Sequence, residues 1–242
     1  MTRIFMAIAV SGWALAAQAQ TGLSKISEHV LMHVLTNEMG HALIREFDLP
    51  VLANEEVAAD QFATYMLHRT LPDRVGDIVR ARFQSFMIEG DDESPFSEYP
   101  DDARRAGYTL CFLYGLNPER HQAMAQEFGM TADEGAACRD TSSEIARSWR
   151  RILAPLAMPP EARVSEVAVI FGDGPWKTVM EESEVTRIVY DMLRGIDWHS
   201  QITLHFDHCD AGARWQRNGR RIQLCDALIE RFEEQARARD EG

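Results

Sequence analysis

From residue 26 to residue 46 the apolar positions recur at helical spacing, which predicts one long helix. Val30, Val34 and Ile44 fall on one side of it, and the polar pair Asn37 and His41 falls on that same side. Ser24 or Ser27 can cap its start. Leu49-Pro50 breaks the pattern, and a second helix is expected over 55–69, packed through Phe62, Ala63, Met66 and Leu67. A third, over 73–88, carries Val75, Ile78, Val79, Phe83 and Phe86 on one face. Residues 89–102 are acidic and contain proline, and read as a solvated linker, with a lid over a cleft as the alternative. A helix over 103–116 follows, ended by Asn117-Pro118, and then helical stretches over 119–128 and 142–153, with Cys138 between them.

Pro155, Pro159 and Pro160 mark a change of character. Val164 to Phe171 alternates like a strand, Gly172-Asp173-Gly174-Pro175 is a turn, and 178–194 reads as helix. Ile202 to Phe206 reads as a strand, Asn218-Gly219 as a hairpin turn, and Arg221 to Leu224 as its partner. A last amphipathic helix runs from Asp226 to about Ala236. The expected fold class is α+β: a helical bulk over 24–155 and a small α/β portion over 161–238, together one domain from residue 20 to residue 242.

Composition adds two constraints. The 242 residues are 45% hydrophobic, ample for a core, and the net charge of −13 argues against nucleic acid or anionic lipid as a partner. Thr2-Arg3, the apolar run Ile4 to Ala17 and the small-x-small site Ala17-Gln18-Ala19 predict a signal peptide over 1–19. The run is short for a membrane span, so the mature chain is expected to be periplasmic or secreted, with no stable span after cleavage. In that oxidising setting Cys111, Cys138, Cys209 and Cys225 are expected to form two disulfides, for which three pairings exist.

The chemistry concentrates in Asn37-Glu38-Met39-Gly40-His41 and Glu55-Glu56-Val57-Ala58-Ala59-Asp60. At about 100° per residue, Asn37 and His41 lie about 40° apart on one face, one turn apart in height. His-Glu-x-x-His on a helix places two imidazoles to hold one zinc ion, with the glutamate as general base. Here Glu38 and His41 are present and Asn37 stands where the first imidazole belongs. Glu56 and Asp60 share a face of the second helix; a glutamate so placed completes a metal shell, and an aspartate one turn on holds a ligand in orientation. The candidate set is therefore Glu38 as base, His41, Glu56 and Asn37 as zinc ligands, and Asp60 behind them. An amide oxygen at Asn37 is a poorer zinc donor than imidazole. His33 is about 12 Å from His41 along the axis, too far to share a metal, and His33 with Asn37 reads as polar residues near the helix rim. Arg104-Arg105 could bind a substrate carboxylate, although a surface salt bridge is the commoner use. His199, His205 and His208 have no ligand spacing, and His208 reads as a surface residue.

The stretch NEMGHALIREFDLPVLANEEVAADQFA resembles a bacterial metallopeptidase family catalogued as a domain of unknown function, whose core reads like HELGHAL, then LPV, then EExAAD. Gly40, His41, Ala42, Leu43, Leu49, Pro50, Val51, Glu55, Glu56, Ala59 and Asp60 all match, and the resemblance extends through YTLCFLYGLNP to the last cysteine pair. The Glu-x-x-x-Asp spacing is also similar to that of thermolysin-like peptidases. The resemblance implies a zincin-like helical core, hydrolysis of a peptide or protein by a zinc-bound water that Glu38 activates, and disulfides Cys111–Cys138 and Cys209–Cys225, the second stapling the hairpin. Three departures set this chain apart. Asn37 replaces the first histidine, Tyr99 stands where the family often has a histidine, and Gly212-Ala213-Arg214-Trp215 stands where it favours a segment like NAFYD. Two functions follow as expectations: an exported zinc metallopeptidase with a variant site, or a non-catalytic relative that keeps the cleft as a peptide- or protein-binding module.

Overall fold

The computed structural model describes residues 22–51, 54–89, 101–162 and 167–240. The expected leader, Tyr99 with most of the acidic linker, and the start of the strand at Val164 lie outside the described residues.

Helix α1 (Lys25–Glu46) is the axis of the molecule. Ser24 caps it by accepting from the Ser27 N–H at 3.2 Å, and Asp48, at φ 51°, turns the chain away after its end. Leu31, Met32, Leu35, Met39, Ala42 and Leu43 are wholly buried, so α1 is covered on nearly every side. Its neighbours are α2 (Glu55–Thr70) and α3 (Val75–Glu89) from the helical half, and α8 (Glu184–Leu193), α9 (Asp226–Asp240) and the sheet from the C-terminal half.

Gly40 decides how closely α1 and α2 approach. A Cβ at this position would lie 3.0 Å from the Phe62 ring and 3.1 Å from the Ala59 Cα. The bare backbone of Gly40 lets α2 settle against α1, bringing His41 and Glu56 face to face. Helix α4 (Asp102–Leu116) packs against α2 and α3, followed by α5 (Pro118–Glu127) and α6 (Ala132–Leu153). Cys138 is not between helices; α6 begins well before residue 142. Its start is a capping box, in which Thr131 Oγ1 accepts from the Glu134 N–H and Glu134 accepts from the Thr131 N–H. Gly115 opens α4 to the backbone of Cys138, whose carbonyl would stand 2.4 Å from a Cβ there. That approach puts Cys111 and Cys138 within disulfide reach, at 5.2 Å between Cα atoms.

The C-terminal half is a four-stranded sheet of order β1-β2-β4-β3: β1 (Val167–Phe171), β2 (Ile202–Asp207), β3 (Ala213–Gln216) and β4 (Arg221–Cys225). The turn at Asn218-Gly219 joins β3 to β4, which pair antiparallel; β2 instead runs parallel to β4, with Leu204 opposite Ile222. The partner of Arg221–Cys225 across the turn is thus 213–216 and not 202–206. That strand is only 4 residues long, too short for its alternation to stand out along the chain. The expected helix over 178–194 is two helices, α7 (Lys177–Glu182) and α8, because Ser183 leaves helical conformation to cap the Thr186 N–H. Cys209 is bonded to Cys225, so the disulfides join sequence neighbours, and the second ties the entry of β3 to the end of β4. The molecule is mainly helical α+β. No helix among the described residues is long and apolar enough to cross a membrane.

Candidate functional site

The site lies where α1, α2, α4 and the edge strand β3 meet, at a cleft of about 830 Å³. Helix α1 contributes His33, Asn37, Glu38 and His41; α2 contributes Glu55, Glu56 and Asp60; α4 contributes Arg105. Asn54 starts α2 by accepting from the Val57 N–H at 3.2 Å, which sets the phase that turns Glu56 and Asp60 toward α1.

Asn37, Glu38 and Asp60 are buried together. Asn37 Nδ2 donates to Asp60 Oδ1 at 2.7 Å and reaches Glu56 Oε1 at 3.5 Å. His41 stands between two carboxylates, with Nε2 3.0 Å from Glu56 Oε2 and Nδ1 2.9 Å from Glu55 Oε1. Glu55 is also held by Arg45. Glu38 accepts a hydrogen bond from the backbone N–H of Trp215 on β3.

Arg105 was expected at the surface and is buried in this cluster. Its Nη2 donates to Glu56 Oε1 at 2.7 Å and Asp60 Oδ1 at 3.0 Å, and its Nε donates to Asp60 Oδ2 at 2.8 Å. Asp102 lies 4.0 Å from Nη1, and the guanidinium carbon sits 4.7 Å from the centre of the Phe86 ring. Arg104, its neighbour, points outward beside Asp101. His33 and Asn37 do not lie at the rim either. His33 has no exposed surface, and neither ring nitrogen has a hydrogen-bond partner among the described residues. Helix α1 packs against α3 and α9 as well as α2, and its own periodicity does not reveal that. Burial, then Arg82 and Arg105, hold the His33 pKa well below the usual imidazole value, so it is neutral. His208 is at the surface, and its Nδ1 is 3.1 Å from Asp226.

The electrostatics follow from this packing. Burial pushes the Glu38 carboxyl up to about 7; His41 opposes that shift, and the Glu56 charge adds to it. Burial disfavours the charge on His41, but the hydrogen bond and charge of Glu56, with Glu38 and Glu55, raise it to about 9. Glu56 is lowered despite its burial, through His41 and Arg105. Arg105 is raised despite its burial, chiefly by Asp60. At neutral pH the His41 imidazolium and the Arg105 guanidinium face the Glu56 carboxylate, and Glu38 is about half protonated.

A zinc ion needs ligand nitrogens with free lone pairs and carboxylate oxygens turned to a common point. Neither condition is met. Both ring nitrogens of His41 face carboxylates, so both act as donors. One oxygen of Glu56 is engaged by His41 and the other by Arg105, while Asn37 presents its NH2 to Asp60. Among the described residues no group of three or more His, Cys, Asp or Glu is disposed to hold a metal ion. As arranged, these side chains do not fit the metal that the motif suggests.

A family described as "Putative metallopeptidase" (DUF4344) matches residues 10–153. The chain belongs to this family. The match runs through α1 to α6, so it contains every side chain of the buried cluster, and the metallopeptidase family's segment ends where α6 ends. The sheet that covers the cleft from the C-terminal side lies beyond it. No curated protein and no solved structure matched the chain.

Sequence reasoning placed Asn37, Glu38, His41, Glu56 and Asp60 in the cluster. It did not foresee Glu55 on His41, the burial of Arg105 or the Trp215 backbone at Glu38. The Arg104-Arg105 pair was the one available signal for Arg105, and helical spacing could not say which of the two turns inward.

Proposed function

We propose that this member of the metallopeptidase family is a non-catalytic relative that binds an extended peptide in the cleft between α1 and β3, and that it does so after export, in the periplasm or outside the cell. The disulfides are compatible with such a compartment. One observation carries the reading: β3 is the edge of the sheet, and its free side is turned toward the cleft, where the Trp215 N–H has found Glu38. An open strand edge offers backbone donors and acceptors to any extended chain laid beside it. The cleft volume suits a peptide of a few residues. Arg45, Arg214 and Arg217 line its outer part and supply charge for acidic side chains.

A catalytic reading is favoured by one feature, the gathering of Glu38, His41 and Glu56 on the family's own helices. It requires Arg105 to leave Glu56 and His41 to give up a proton, so the binding reading needs fewer changes. The test is retention of peptides. Mature, oxidised protein would be equilibrated with a mixed pool of decapeptides, and bound species identified by mass spectrometry. Backbone hydrogen exchange over 213–216 would then be followed with the best binder. Retained peptides that stay intact and slow exchange at β3 are the expected result. Cleavage of the pool that disappears in Glu38→Gln would overturn the proposal, as would no retention at all.

A further inference from the structure

Arg105 Nη2 and Asn37 Nδ2 reach for the same two oxygens. The guanidinium nitrogen is 2.7 Å from Glu56 Oε1 and 3.0 Å from Asp60 Oδ1; the amide nitrogen is 3.5 Å and 2.7 Å from those same atoms. Two carboxylates one turn apart on α2, Asp60 buried and Glu56 largely so, need a positive charge between them. In a metal site the ion supplies it. Here Arg105 supplies it from α4, and Asn37 fills the remaining donor position without adding charge.

We propose that Arg105, with Asn37 filling the remaining donor position, serves as the fixed cation of the site and excludes a divalent ion for as long as it is present. This rests on the reading that the wild-type protein works without a metal. Restoring the imidazole alone is then insufficient. A histidine at position 37 would meet both Asp60 oxygens and Glu56 Oε1 already committed to Arg105, and Glu56 Oε2 to His41, and a divalent ion bound beside it would face a guanidinium at contact distance. Arg105 has little freedom to withdraw, since Phe86 lies against its plane and Asp60 holds it at both Nε and Nη2. Replacing Arg105 by a neutral side chain as well leaves Glu56 and the new imidazole with free lone pairs, and His41 free to give its Nε2 to an ion in place of Glu56.

The experiment uses zinc ion alone as probe, on the mature oxidised chain in four forms: wild type, Asn37→His, Arg105→Gln and the double variant. Zinc content after equilibrium dialysis, and the zinc-induced change in Tm, are the readouts. The double variant is expected to hold one zinc per chain and to bind it about tenfold or more tightly than Asn37→His. Wild type and Asn37→His are expected to hold none after dialysis. Arg105→Gln alone is expected to bind more weakly than the double variant, for want of the second imidazole. Equal affinity in Asn37→His and the double variant would overturn the proposal, because Arg105 would then be no barrier. One zinc per chain in wild type would overturn it too, and so would a folded double variant that binds no zinc. Should the double variant be unfolded without metal, refolding on zinc addition supports the proposal, since the ion then supplies the charge that Arg105 supplied. Failure to fold with zinc overturns it. Peptide retention is read separately, so a wild type that retains no peptide yet follows this zinc pattern refutes the binding function alone.

Discussion

His41 Nε2 lies 3.0 Å from Glu56 Oε2, one residue on α1 and the other on α2, and the contact joins the two helices where Gly40 lets them touch. It is a charged hydrogen bond with both partners mostly buried, so it ties stability to pH. The His41 pKa in the folded protein, about 9, lies above its ordinary value of 6.5. A group raised on folding contributes its full stabilisation below the lower value and loses it as pH rises through the higher. Stability is therefore expected to fall between pH 6.5 and 9, by on the order of 3 kcal/mol from this group. Urea denaturation across that range checks it; in His41→Gln the alkaline loss should largely vanish.

Glu38 supplies a second pH signature. Its carboxyl is raised by burial to about 7 from 4.5, so the folded state holds the proton more tightly than the unfolded chain does. Ionising it costs stability as pH rises from 4.5 through 7. Glu38→Gln keeps an oxygen for the Trp215 N–H and carries no charge. It is expected to stabilise the protein at pH 8 by about 1–3 kcal/mol and to change little at pH 4.5. Paired thermal melts at the two pH values decide the matter, and equal effects at both would contradict the burial of this carboxyl.

Removing Arg105 strands the buried carboxylate of Asp60 and the largely buried one of Glu56. Arg105→Ala leaves Asp60 and Glu56 without their guanidinium, and a cost of about 3–5 kcal/mol at pH 7 is expected. Arg105→Lys restores charge but only one donor point, so it should recover part of the loss. Arg104→Ala, on the exposed neighbour, should cost less than about 1 kcal/mol. Chemical denaturation of the three variants side by side provides the comparison.

Gly40→Ala tests the approach of the helices. The added Cβ meets Phe62 at 3.0 Å and the Ala59 backbone at 3.1 Å, and the latter has no rotamer to give way. The expected cost is about 1–3 kcal/mol, despite the higher helix propensity of alanine. The spreading of α1 from α2 should also lower the His41 pKa, because Glu56 recedes; a titration of its imidazole resonance measures that shift directly.

Residues close in sequence disclosed most of the site. Asn37 with His41, and Glu56 with Asp60, stand four apart, and a helix turns that spacing into one face whatever the rest of the molecule does. Ser24 and Asn54 cap helices through hydrogen bonds three residues long. The hairpin turn at Asn218-Gly219 was legible in the same way, whereas the strand entering it was not, since Ala213–Gln216 alternates over only 4 residues.

What the sequence by itself determined, then, are the faces: which side of α1 and of α2 carries the polar groups, and that four cysteines would close on one another in pairs. Tertiary structure alone decided the partners. Arg105 meets Asp60 across 45 residues of chain, and Trp215 meets Glu38 across a distance in sequence that no local period encodes. Helical and strand periods report direction relative to an element's own axis. Which side chain arrives from another element depends on how bodies pack, and here that packing delivered a guanidinium to the place where the motif suggests a metal ion.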